Sequence, residues 1–154
     1  MDVAFPTIAV AIDGSDHAKH ALATAVDLAR RYRSRLTIIA VAPISPGMIV
    51  PNEPMLPPLL PESNVPQFRA LVDAAVAEAH AAGVATVDGV CEEGVAVDEI
   101  LQFLEEHPAD LLVVGSRGLT AAKRILLGSV STGLVNRAPC PVLVVRPTPT
   151  TRAS

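Results

Sequence analysis

Short apolar runs, separated by stretches of helical period, constrain this chain more than any other feature of it. Ile8 to Ile12, Leu36 to Ala42, Leu111 to Val114 and Val142 to Val145 are nearly unbroken and rich in branched side chains. Such runs suit strands buried on both faces, as in a parallel sheet. Val84 to Cys91 reads as a further strand, third in chain order, with Glu93-Gly94 as the turn behind it. Between the runs, apolar residues recur every three to four positions: Ala18, Leu22, Ala25, Val26 and Ala29; then Phe68, Leu71, Val72, Ala75, Val76 and Ala79; then Val97, Ile100, Leu101 and Leu104. Ser15 can cap the first of these helices, Gly83 can end the second and Pro108 the third. A fourth helix is expected over Ser129 to Arg137. Strands alternating with helices require right-handed crossovers and place helices on both faces, so the chain reads as one doubly wound α/β domain. The domain is expected to span 1–147, with 148–154 as a loose tail.

Pro43 to Pro66 interrupts the rhythm: eight prolines there exclude a regular strand or a long helix. A long loop is expected, either a functional cover or a mobile segment.

Composition narrows the partners. Half of the 154 residues are hydrophobic and 18% are charged, which excludes a largely disordered chain. Aromatics make up 3%, Trp is absent and the net charge is −4, so neither a stacking platform nor a basic field for nucleic acid is present. Arg30, Arg31, Arg33 and Arg35 are the local exception and read as the solvated end of a helix. No apolar run reaches the 18 or so residues that span a bilayer, and no leader is visible, so membrane insertion is not expected and a cytoplasmic protein is. Cys91 and Cys140 lack metal or redox spacing and read as reduced packing residues.

The chemistry-bearing stretch follows the fourth strand. Gly115-Ser116-Arg117-Gly118 is followed by nine residues and then by Gly128-Ser129-Val130-Ser131 at the start of a helix. Glycine admits close approach of backbone to an anion, and a helix N-terminus offers unpaired N–H groups and a favourable dipole. Ser129 and Ser131 could add hydroxyl donors. Spaced glycines after a strand fit a phosphate site or ordinary turns equally well, and neither a Walker nor a dinucleotide fingerprint is present. Asp13, read alone, is a turn and cap residue beside Gly14 and Ser15.

The full spacing, Gly-x-x-Gly, nine residues, Gly-Ser, resembles the nucleotide motif of the universal stress protein family in its ATP-binding branch. Val10 to Ser15, Asp110 to Gly118 and Ala138 to Val145 resemble the same family, so the likeness covers nearly the whole chain. It implies a five-stranded parallel sheet of order 3-2-1-4-5, Rossmann-like in the manner of adenine nucleotide alpha hydrolases. It implies ATP as ligand, leaving Mg²⁺ open, and a homodimer through the edge strand Val142 to Val145. Carried over by position, it assigns the base to Ala11, Ile12, Asp13 and Val41. The ribose and phosphates fall to Val114, Gly115, Arg117, Gly118, Gly128, Ser129, Val130 and Ser131.

Other polar residues carry blander readings. His17 and His20 lack a third metal ligand and read as surface residues, while His80 and His107 stand at helix ends with no partner that the sequence identifies. Glu92 and Glu93 read as a solvated turn rather than an acid/base pair, since strand neighbours point to opposite faces. Lys123 and Arg124 lie in the nine-residue loop, facing phosphate or water. No nucleophile or catalytic base stands out, so three functions compete: a nucleotide-dependent regulatory module in stress response, a slow ATP hydrolase, and a nucleotide-free interaction protein. The protein client is unknown in each.

Overall fold

A computed structural model describes residues 4–44, 63–118 and 127–147. Most of the Pro-rich stretch, the loop residues Lys123 and Arg124 and the 148–154 tail lie outside the described residues.

Among the described residues nine elements alternate: β1 (Thr7–Ala11), α1 (Asp16–Tyr32), β2 (Arg35–Ala42), α2 (Val65–Ala81), β3 (Val87–Glu93), α3 (Ala96–Glu106), β4 (Leu111–Gly115), α4 (Ser129–Arg137) and β5 (Val142–Val145). The strands form one sheet of order β3-β2-β1-β4-β5. Every pairing is parallel, from β2 on β3 to β4 on β5. The continuous apolar character of the central strands follows, because helices cover both faces. Ile8, Val10, Leu36, Ile38, Leu111 and Val113 face α1 and α2 in one core, while Ala9, Ile39, Val41, Leu112 and Val114 face α3 and α4 in the other.

Local chemistry sets the element ends. Ser15 Oγ accepts the Ala18 N–H and caps α1. Arg33 closes α1 in the left-handed region at φ 54°, and Arg35 leaves the helix-end cluster to open β2, where it pairs with Asp88 at 2.6 Å. Two expectations are corrected beyond α2. β3 begins at Val87 rather than Val84, because Val84 N–H donates to Ala79 O and Gly83 N–H to His80 O, with Gly83 at φ 103°. That is a Schellman ending, which commits Val84 to the helix and buries its side chain. Glu92 and Glu93 are paired strand residues of β3, opposite Val41 and Ala42, not a turn.

Cys91 on β3 and Cys140 beside β5 stand at opposite edges of the sheet. Four interstrand spacings of about 4.8 Å separate them, far beyond disulfide reach. Burial raises the pKa of both thiols.

Candidate functional site

In a doubly wound sheet the helices after two neighbouring strands leave for opposite faces where the strand order reverses, and a crevice opens at the strands' carboxyl ends. Here that point lies between β1 and β4. A cavity of about 390 Å³ occupies it, within the usual size range of small-molecule sites, roughly 300 to 1,000 Å³.

The structure gathers all the sequence-derived candidates around this cavity. Ala11, Ile12 and Asp13 come from the end of β1 and Val41 from the end of β2. Val114, Gly115, Arg117 and Gly118 follow β4, and Gly128, Ser129, Val130 and Ser131 open α4. Ala18, Pro43, Phe68, Ala96 and Ile100 also line it, and no local motif announces them. They arrive from α1, the end of β2, α2 and α3, so only the packing of four separate segments brings them there. The lining therefore combines apolar side chains, Ile12 and Phe68 from one core and Val41 and Ile100 from the other, with backbone rich in glycine.

Val41 illustrates how strand parity serves the site. Ile12 N–H donates to Ile39 O, so Ile39 turns its backbone polar groups toward β1. Val41, two residues on, turns its own the same way, at the height where β1 has ended at Ala11.

Of the helix N-termini that meet the cavity, α3 lacks a side-chain cap but carries Asp98 and Glu99 in its first turn, and those of α1 and α4 differ in availability. At α1, Asp13 Oδ1 accepts the Ser15 N–H at 2.9 Å and Ser15 Oγ accepts the Ala18 N–H, so side chains of the chain itself occupy that end. Asp16 adds an acidic residue to its first turn. At α4 the N-cap is Gly128, no side chain caps the helix, and its first turn holds no acidic residue. An anion is favoured at the second end, where N–H groups of the first turn lack intrahelical partners and the dipole is positive.

The loop between β4 and α4 is closed tightly at its base. Gly128 N–H donates to Ser116 O at 2.7 Å, and Ser131 Oγ–H lies 2.9 Å from Ser116 O and 3.0 Å from Gly128 O. The Ser131 hydroxyl hydrogen is thus directed at carbonyls, which corrects the expectation that it serves as a hydroxyl donor to a phosphate; its N–H remains in the first turn. Space requires glycine at Gly115, where backbone stands in the way, whereas Gly118 meets the end of the Asp13 side chain. A Cβ at Gly115 would stand 2.8 Å from the His17 carbonyl carbon, and one at Gly118 would stand 2.8 Å from Asp13 Oδ2.

His17 departs from its reading as a surface residue. Its Nδ1 lies 2.8 Å from Oγ of Ser116, which is 2% exposed. Burial holds the His17 pKa below its ordinary value, and the Arg117 and His20 charges act in the same direction against the opposing pull of Asp16 and Asp13. Among the described residues no group of three or more His, Cys, Asp or Glu side chains is arranged to hold a metal ion, and no helix is long and apolar enough to cross a membrane.

Comparison with known proteins places this geometry in a family. The universal stress protein family model matches residues 4–146. A universal stress protein of Thermus aquaticus, encoded in the QAH/OAS sulfhydrylase 3′ region, is 38% identical over 143 residues, covering 92% of this chain and 99% of the relative. Among solved structures, the universal stress protein UspA from Lactobacillus plantarum superposes with a TM-score of 0.69 at 27% identity, covering 94% of this chain and all of the other. A universal stress protein in complex with cAMP superposes with a TM-score of 0.68 at 29% identity, covering 93% and 98%. From its fold, its loop and its relatives, the chain belongs to the universal stress protein family.

Proposed function

We propose that the cavity binds ATP and that the chain acts as a homodimeric, nucleotide-dependent regulatory module in stress response. The observation that carries this reading is the uncapped first turn of α4 standing beside Gly115, Gly118 and Gly128 in a cavity that apolar side chains also line. The apolar part of the lining suits a purine, with Ala11, Ile12 and Val41 around the base and Asp13 as acceptor for base or ribose groups. The N–H groups of Ser129, Val130 and Ser131 and the backbone of Gly115 to Gly118 suit a polyphosphate, with Arg117 as a neighbouring cation. A relative of this family bound to cAMP supports an adenine nucleotide as the ligand class.

The residues present fit the nucleotide better than they fit a protein-held metal. With no acidic cluster among the described residues, Mg²⁺ would ride on phosphate oxygens and water. Asp13 is the carboxylate among the described lining residues, and it already accepts the Ser15 N–H, so the geometry favours binding over hydrolysis. The exposed Leu143 on the edge strand β5 supports pairing with a second copy, which would cover that edge.

Native mass spectrometry of the purified protein, before and after MgATP, tests the reading. A dimer carrying one nucleotide per chain is expected. Gly128→Val should remain folded and lose ATP affinity by about tenfold or more, the cost of one charge-assisted hydrogen bond. Its Cβ would stand 3.3 Å from Arg117 Cα and 3.6 Å from Gly118 N, so the added methyls push against the phosphate loop. A wild-type protein that stays empty in MgATP overturns the reading.

A further inference from the structure

Ser116 is the junction of the glycine loop, although it does not line the cavity. Its N–H donates to Val145 O at the end of β5, and its carbonyl receives the Gly128 N–H and faces the Ser131 hydroxyl at the start of α4. Its hydroxyl meets His17 Nδ1 in the first turn of α1. Three elements from different parts of the chain thus converge on one residue. The residues on either side of it, Gly115 and Arg117, line the cavity. Whatever fixes Ser116 therefore fixes the direction of the backbone at 115–118 and of the Gly128 amide that opens α4.

His17 is well placed to do the fixing. The turn that carries it is capped by Ser15 and seats so closely on β4 that Gly115 has no room for a Cβ. The imidazole is thus presented from a rigid base to a buried hydroxyl whose neighbours are already committed. We propose that His17, acting through Ser116, is a positioning residue for the polyphosphate half of the site, an inference that rests on the nucleotide reading above. The base half is built from other segments, the ends of β1 and β2, and does not depend on this pair. Phosphate-dependent affinity should therefore respond to His17 while nucleoside affinity does not.

Isothermal titration with ATP and with adenosine tests this on the full chain. His17→Ala should weaken ATP about three- to tenfold, the range of one ordinary hydrogen bond, with adenosine affinity unchanged. His17→Asn, whose carboxamide places a hydrogen-bonding atom where Nδ1 stands, should restore ATP affinity to within about twofold. Ser116→Ala should match His17→Ala, and the double variant should add no further loss, because both remove one interaction. Urea unfolding of each variant reports whether the fold is kept; should Ser116→Ala fail to fold, the two His17 variants still decide. A His17→Ala protein with the wild-type ratio of ATP to adenosine affinity overturns the proposal, as does failure of His17→Asn to rescue. A wild-type protein that binds ATP no more tightly than adenosine overturns the nucleotide reading itself, a result seen before any substitution is made.

Discussion

Gly115→Ala and Gly118→Ala form a matched pair whose outcomes the structure sets apart. At Gly115 the new methyl would stand 2.8 Å from the His17 carbonyl carbon, 2.9 Å from its oxygen and 3.0 Å from its Cβ. Two of those atoms are backbone of a capped helix, so relief requires the first turn of α1 to move off β4. Forcing a methyl into packed space costs about 1 to 3 kcal/mol. Replacing Gly by Ala recovers about 0.4 to 1 kcal/mol by restricting the unfolded chain. The net loss spans about 0 to 2.6 kcal/mol and centres on about 1.3 kcal/mol, which lowers the melting temperature by roughly 3 to 5 °C in a domain of this size. At Gly118 the obstruction is Asp13 Oδ2, the end of a side chain that can rotate away. Gly118→Ala should change stability by under about 0.5 kcal/mol, while disturbing Asp13 and with it nucleotide binding. Urea denaturation with a shared m-value reads the first quantity, and ATP titration reads the second. Equal stability of the two variants would refute the claim that α1 and β4 are in rigid contact at this point.

Asp13→Ala should weaken adenosine and ATP alike, and Asp13→Asn, which keeps an oxygen for the Ser15 N–H, should separate the turn from ligand binding in paired titrations; unchanged affinity in both variants would leave Asp13 as a turn residue alone. The His17 pKa lies below its ordinary 6.5, so the unfolded chain takes up this proton at higher pH than the folded one. Stability from this group is full above about pH 6.5 and declines as pH falls toward the lower folded value. Melting temperatures of wild type and His17→Asn across that range should converge on the acid side, and parallel curves would refute the assignment.

Element identity was legible because its signals are local. Ser15, standing before Asp16 and Ala18, declared the start of α1, and the period of Ala18, Leu22, Ala25, Val26 and Ala29 declared its buried face, since capping and periodicity involve neighbours within a few residues. The same holds for α4 and β5, whose bounds match the pattern. The start of β3 was misread although a signal was present: Gly83 followed by a branched apolar residue is the mark of a Schellman ending, in which Val84 plugs the helix rather than opening the strand. The strand order came from resemblance to a family, because periodicity says nothing about which strands are neighbours.

By itself, then, the amino-acid pattern determined the alternation of buried strands and amphipathic helices, and the glycine spacing that marks one loop for close approach. Only the tertiary structure decided that Phe68, Ala96 and Ile100 line one cavity with Ile12 and Val41, and that His17 meets Ser116 across 99 positions of chain. It also decided which helix N-terminus at the cavity suits an anion, because Ser15 and Asp13 occupy that of α1, Asp98 and Glu99 stand in the first turn of α3, and α4 has neither a side-chain cap nor an acidic first turn. The physical reason is range. Capping, period and turn chemistry act within a turn or two of backbone, whereas a cavity and a buried hydroxyl's partner depend on how distant surfaces pack.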